Sequence, residues 1–516
     1  MMKKNGAKAL KTALGVALLS TVLVFSGCGG GVAERTDHLI VGIPAMHTNL
    51  DPTLQNDIPS TRVIFHVFDT LVWVDYNMEP QPNLAESWEW VDPANPTALR
   101  VFLRQGVLFH NGDPLTARDV QFSLDRASQS PHIATVASAI SSTEIVNDHE
   151  VIIHLDYPFV PFINFLGHGG LSILNERAVT ELGVAAHSHA PVGTGPYRLT
   201  NIVAGDRVEL VRWENYWGTP APIENLTFRL LADASTRLIA LETGEIDIMI
   251  DVPPPDMSRV RGHSDLTLHH EENVATHYVA FNVQRPPFDD VRVRHAVQYA
   301  LDLDAMVNAV FMGAFSPATG PISPRVWASA SENLAPFPFN PERARELLAE
   351  AGFPDGFSIT FMTNQGNPQR ADTGEIMQNM LREVGIDMSV QILEWGAFLD
   401  ASDRGEPDAL MIAWVPTTGD PDNGLFATFH SSTWGPGGNR AFFSHPEVDS
   451  LLEAGRRESD PAVRAQIYYQ AQRIIHAESP WIFMATGAEI TGVRNNVQGF
   501  RPAPNSLPRF WTVSFS

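Results

Sequence analysis

The chain predicts an α/β protein built on mixed sheets and divided into two or three domains. Three observations carry this. Segments with strand alternation and segments with helical spacing interleave along the whole length, the pattern of sheets packed with helices. Hydrophobic residues make up 44% of the 516 residues, as in a folded globular protein. The length also exceeds what one core holds, because single cores stop growing beyond ~250–300 residues.

Residues 37–43 alternate and end at Pro44, which predicts a first strand. Residues 62–74 carry Val63, Phe65, Val67, Phe68 and Leu71 at helical spacing. Residues 99–104 alternate as a strand, and Asn111-Gly112-Asp113 marks a turn. Thr116 is a good N-cap for a helix to Ala127, with Asp119 at the third helical position completing a capping box. Residues 151–155, 207–212 and 223–231 read as strands. Residues 235–243 form a helix stopped by Gly244, and 246–250 a buried strand. Residues 290–311 predict one long helix or a helix pair. Asn340-Pro341 caps a helix ending at Gly352, with proline at the first helical position. A helix over 374–384 closes at Gly385 and leads into a strand over 388–393. Asp460-Pro461 starts a last helix reaching Glu478. The proline-rich stretches 253–255 and 321–341 are candidate linkers or rigid surface loops.

The composition excludes several chemistries. All four lysines (Lys3, Lys4, Lys8, Lys11) precede residue 12. Without lysine further on there is neither a P-loop lysine nor a Schiff-base nucleophile. Cys28 is the one cysteine, so no disulfide or thiolate cluster is available. No Gly-x-Ser-x-Gly or His-Glu-x-x-His occurs. Gly193-Thr194-Gly195 is followed by Pro196, which cannot open a dinucleotide-type turn into a helix, and reads as a structural turn. His187/His189 and His269/His270/His277 are the closest histidine groupings and read as surface or loop residues rather than metal ligands. No catalytic residue, metal or cofactor is implied. Beyond residue 27, 31 arginines face 59 acidic residues, a formal charge of −28. That surface argues against nucleic acid, which needs clustered cations.

The N-terminus carries an address. The four lysines precede an apolar run over 13–25, and Ser26-Gly27 supply small residues before Cys28. A spanning helix needs ~20 apolar residues, so the run reads as a secretory signal. The ending Phe-Ser-Gly-Cys resembles a bacterial lipoprotein signal, with Phe25 in place of the usual leucine. It implies a signal over 1–27, lipid on Cys28, a tether over 28–36, and work outside the cytoplasm on a membrane anchor of several acyl chains.

Several segments resemble one family, the extracytoplasmic solute-binding proteins of peptide-type ABC importers (family 5, with dipeptide, oligopeptide, glutathione and nickel binders). They are residues 103–120 (Leu-Arg-Gln-Gly-Val-Leu-Phe-His-Asn-Gly-Asp-Pro-Leu-Thr-Ala-Arg-Asp-Val), Pro191 to Tyr197, Trp213 to Trp217, Phe281-Asn282 and Val291 to Ala296. Gly419 to Asn423, Asn439-Arg440 and His445 to Asp449 complete the series in order. The resemblance implies a periplasmic-binding-protein-like α/β fold with two hinged lobes and an inserted third domain. Lobe I would comprise 37–56, 191–275 and 488–516, the inserted domain II 57–190, and lobe III 276–487. Ligand would be enclosed as the lobes close, and a monomeric receptor would then deliver it to permease subunits.

The resemblance also implies a site. Glu394 to Asp400 resembles an oligopeptide-binder segment in which the tryptophan, here Trp395, lines the cleft, and Trp414 matches a second cleft tryptophan. In members that bind free amino termini, an aspartate three residues further on pairs with the ammonium. This chain has Thr417 there, and Trp414 to Asp420 instead resembles the subgroup that includes glutathione-binding proteins and some oligopeptide binders. Either Asp420 or Asp422 takes over the ammonium, or it is recognised elsewhere, since an uncompensated buried charge costs several kcal/mol. A carboxylate anchor must be arginine, whose fork suits carboxylates. Arg404 and Arg440 lie nearest the matched segments. Asp51-Pro52 is a further candidate at the cleft edge. The expected ligand is a short peptide, glutathione-like or otherwise, with a nickel chelate, opine or sugar as alternatives in the same fold. An extracytoplasmic hydrolase is the reading of another class, and the missing nucleophile and metal motifs argue against it.

Overall fold

A computed structural model describes residues 36–516. Cys28, with its signal and lipid reading, lies outside them. The expected class is seen: helices pack around a large mixed sheet and a smaller antiparallel one. The eleven-stranded sheet runs Ile386–Leu393, Phe357–Asn364, Ala409–Trp414, Leu266–Phe281, Trp481–Arg494, Ile248–Met249, His38–Ile43, Asn225–Leu230, Arg207–Arg212, Tyr197–Val203, with Ser316–Pro317 paired to Trp481–Arg494 beside this path. Its two ends contain parallel pairs, His38–Ile43 with Asn225–Leu230 and Phe357–Asn364 with Ile386–Leu393. Antiparallel strands join them at the centre.

The smaller sheet runs Ala85–Trp90, Ala98–Leu103, Glu150–Leu155, Ile140–Asn147. Its alternation works as expected: Leu99, Val101 and Leu103 point inward with Val151, Ile153 and Leu155. The helix Ala117–Ser128 lays Val120 and Leu124 on that core. Its start shows the capping box, Thr116 Oγ1 donating to Asp119 and Asp119 accepting from the Thr116 amide, both at 3.0 Å.

The two longest strands organise the rest. Leu266–Phe281 and Trp481–Arg494 pair antiparallel, from Leu266 opposite Arg494 to Glu272 opposite Ala488. The ladder then breaks and resumes at Thr276 opposite Thr486. Residues before the break pack with Leu241, Met249 and Val260, and residues after it with two further cores, one under Phe361 and one around Leu425 and Trp481.

Some expectations need correction. The helix expected over 62–74 is Ile58–Val67, because the Asp57 carboxylate accepts from the Ser60 amide and fixes the start earlier. Val72–Val74 is instead a strand paired with Pro80–Pro82. The helix expected from 374 begins at Pro368, capped by Asn367. The expected helix pair is Val291–Ala300 and Leu303–Phe311. The stretch 321–341 is no linker, since Ile322, Val326 and Ala328 are buried in a core. His187 and His277 are buried rather than on the surface. Gly193 and Gly195 mark a tight chain crossing: a Cβ at Gly193 would lie 2.0 Å from the Val67 carbonyl oxygen.

Candidate functional site

A cavity of about 210 Å³ opens where the central ladder breaks. The break frees Asn273, whose amide nitrogen donates to Glu489 Oε1 at 3.0 Å and to Ser506 Oγ at 3.3 Å. The Ser506 hydroxyl also donates to Glu489. The floor therefore holds a glutamate inside an apolar strand, satisfied by polar neighbours. Burial and the charge of Asp251 hold its carboxyl above the usual range. Asp251 itself lines the cavity in a left-handed backbone conformation, φ +56°.

The first helix presents its N-terminus to the same space through Asp57, Ile58 and Arg62. Asp57 accepts from the Ser60 amide (2.9 Å), Thr48 Oγ1 (2.7 Å) and, across the cavity, Trp395 Nε1 (3.4 Å). Arg62 is only 5% exposed. Its Nη2 donates to the Ser506 carbonyl at 3.4 Å, and its Nε has no partner. Burial lowers its basicity, and the acids Asp251, Glu489 and Asp57 partly offset this.

Arg370 completes the set. It stands in the first turn of the 15-residue helix Pro368–Arg382, whose preceding residues Gly366 and Asn367 also line the cavity. A cation in a first turn opposes the positive end of the helix dipole. Arg370 is 9% exposed, donates to Asn364 Oδ1, and leaves Nε unpartnered. Among the described residues no carboxylate comes within 4.0 Å of it. Burial pushes its guanidinium down to about 10, so it stays charged at neutral pH.

The structure brings together some expected site residues and separates others. Trp395, Trp414, Thr417 and Arg440 all line the cavity. The Trp414 indole is fixed by donation to the Asn423 carbonyl at 2.8 Å, and Thr417 Oγ1 has no partner. Arg440 is already paired with Asp403 at 2.9 Å. Arg404 is exposed, pairs with Glu406 at 2.7 Å, and does not reach the cavity.

Asp420 and Asp422 are committed elsewhere. Asp420 caps the helix Pro421–Phe429 and takes a two-pronged bond from Arg464 at 2.7 and 2.8 Å. Asp422 is fully buried and held by Arg456 at 3.0–3.1 Å. Asp51 is likewise buried, paired with Arg126 at 2.9 Å. All three carboxylates thus already have an arginine partner.

Asp57, Arg62, Asp251, Arg370 and Glu489 escaped sequence reasoning. Faint signals exist for two of them. Arg370 follows an Asn-Pro helix start by two residues, a poor place for an unpaired cation, and Glu489 is the one acid in the apolar run Trp481–Arg494. Among the described residues no group of three or more His, Cys, Asp or Glu could hold a metal ion, and no helix is long and apolar enough to cross a membrane.

Comparison with known proteins agrees with this architecture. Residues 79–436 match the family described as bacterial extracellular solute-binding proteins, family 5 Middle. The glutathione-binding protein GsiB of Salmonella typhi is 32% identical over 478 residues, 91% of this chain and 92% of that one. GsiB of Escherichia coli O1:K1 / APEC is 31% identical over 501 residues, 95% and 96% of the two chains. Among solved structures, the periplasmic binding protein DppA from Helicobacter pylori, in complex with the peptide STSA, superposes with a TM-score of 0.88 at 27% identity, covering 93% of this chain and 98% of that one.

Proposed function

The chain belongs to family 5 of the bacterial extracellular solute-binding proteins, non-enzymatic binding components of peptide-type ABC importers, and from that premise we propose that it captures short peptides with both termini free. Glutathione and similar small peptides are the ligands in view, as the names of its relatives suggest. One observation carries the ligand class: Arg370 is a buried guanidinium beside a helix N-terminus, and among the described residues no carboxylate comes within 4.0 Å of it, Asp251 acting on it only from further off. Both features favour an anion, and the ligand's carboxylate supplies it.

The ammonium then goes to the carboxylates of the same cavity. Glu489 and Asp251 line the cavity near Arg62 and take over the role that Thr417 cannot perform. Trp395 and Trp414 form apolar walls, and the partnerless Thr417 hydroxyl is available to the peptide backbone.

Capture works by hinge closure. Lobe I (37–56, 191–275, 488–516) and lobe III (276–487) meet at the cavity, with domain II (57–190) inserted beside the first. The ladder break between Glu272 and Thr276, opposite Ala488 and Thr486, supports chain crossings at 275 and 488. The indole of Trp395 donating to Asp57 closes one side of the gap. A lipid on Cys28 holds the receptor at the membrane, where permease subunits receive the ligand.

Titration calorimetry on a soluble chain starting at residue 35 tests the reading. Reduced glutathione and free di- and tripeptides should bind. Blocking the ligand's carboxylate by amidation, or its amine by acetylation, should weaken binding at least tenfold. Binding that survives both blocks overturns the assignment, as does response only to a nickel–histidine chelate or an opine.

A further inference from the structure

The C-terminal segment that gives Ser506 to the cleft gives Asn505, Leu507 and Arg509 to a second cavity, of about 610 Å³. Its other walls include the rings of Trp73, Tyr76, Tyr216 and Trp511 and the carboxylates Asp69 and Asp75. The Arg509 guanidinium carbon lies 3.2 Å from the ring centre of Trp73 and 5.4 Å from that of Trp511. Arg501 covers Tyr76 at 4.0 Å. The rings clamp Arg509 in one place, yet its hydrogen bonding is almost unused. Nη2 reaches the Val74 carbonyl at 3.4 Å, and no carboxylate among the described residues comes within 4.0 Å.

The nearby acids are occupied. Asp69 accepts from Trp217 Nε1 at 2.9 Å and Thr194 Oγ1 at 3.0 Å. Asp75 accepts from the Asn77 and Glu79 amides at 2.8 and 2.9 Å. Burial lowers the Arg509 guanidinium to about 10, which leaves it charged at neutral pH. The cavity thus offers a positioned cation with free donors, flanked by flat rings. Nothing in the peptide cleft requires it.

We propose that this second cavity is a binding site for a small aromatic carboxylate, its carboxylate on the Arg509 fork and its ring against Tyr76 and Trp511. A guanidinium takes a carboxylate through two parallel bonds, and aromatic walls prefer a flat partner. A bare oxyanion would use only the cation, and a neutral ring only the walls.

Benzoate is the probe, followed by intrinsic tryptophan fluorescence, because Trp73 and Trp511 flank the site. The titration uses the Arg370→Gln background, so that the cleft guanidinium cannot take the probe. Benzoate should give a saturable change, with acetate and benzyl alcohol each at least tenfold weaker. Arg509→Gln should abolish the change and Arg509→Lys should retain part of it. Tyr76→Leu, which leaves the clamped cation in place, should weaken benzoate at least threefold and acetate not at all. No saturable change, equal binding of benzyl alcohol, or a benzoate response indifferent to both Arg509→Gln and Tyr76→Leu would overturn the site.

Discussion

Replacing Arg456 by methionine should cost this protein more than any surface change, and the structure sets the amount. Arg456 is 3% exposed and holds the fully buried Asp422 through three contacts of 3.0–3.1 Å. It also donates to the Thr135 carbonyl at 2.7 Å and the Tyr157 hydroxyl at 3.1 Å. Its guanidinium lies over the rings of Phe426 and Phe159. Methionine keeps much of the apolar packing but strands the carboxylate. Removing one partner of such a buried pair costs about 3–5 kcal/mol. Melting entropy is about 2.1 cal/mol/K per residue, so ~480 residues unfolding together give a fall of about 4 °C for a 4 kcal/mol loss, and a segment of ~210 residues melting alone about 9 °C.

Two controls sharpen this. Burial already raises the Asp422 carboxyl, and Arg456 pulls it back down. Without the arginine the folded-state value climbs further above the unfolded one. The cost is then fully present above the folded value and shrinks as pH falls through it. Calorimetric melting should therefore show a gap between variant and parent that narrows from pH 8 to pH 5. Adding Asp422→Asn should recover at least about 2 kcal/mol. A loss below about 1 kcal/mol at pH 8, or a second substitution that only adds damage, would refute the account.

Arg370→Gln should reduce affinity for free peptides by at least about 30-fold, matching the roughly 2–5 kcal/mol lost when one partner of a buried charge pair is truncated, and calorimetry reads it. Glu489→Gln should weaken free peptides more than N-acetylated ones. Because burial holds the Glu489 carboxyl above the usual range, free-peptide affinity in the parent should fall as pH drops below neutral, earlier than a normal glutamate would give. Asp420→Ala should lower the melting temperature, since it frees Arg464, while leaving peptide affinity in calorimetry within about twofold. Gly193→Ala should abolish soluble expression or cost several kcal/mol, because its Cβ would meet the Val67 carbonyl oxygen at 2.0 Å.

Elements with local punctuation were legible in the chain. Thr116 with Asp119, Asn340 with Pro341, and Asp460 with Pro461 each announce a helix start through their own side chains. The two strands that matter most were not. Trp481–Arg494 is buried on both faces for nearly its whole length, so no alternation distinguishes it from a buried helix. Leu266–Phe281 alternates poorly because it crosses from a half-exposed stretch into full burial. The site divides the same way. Trp395 and Trp414 could be placed by likeness of their surroundings. Arg370 and Glu489 face one cavity only because distant strands adjoin in the sheet, and pairing across such distances leaves no mark on either local sequence. The arginine partners of Asp420 and Asp422, Arg464 and Arg456, were illegible for the same reason, lying on other helices.

The double crossing has a mechanical consequence. His38–Ile43 near one end of the described chain and Val513 near the other share one core, while residues 276–487 join that core through two strands zipped side by side. A pull on either end loads the ladders around His38–Ile43 in shear. Tension between the two described ends is therefore carried first by the core they share.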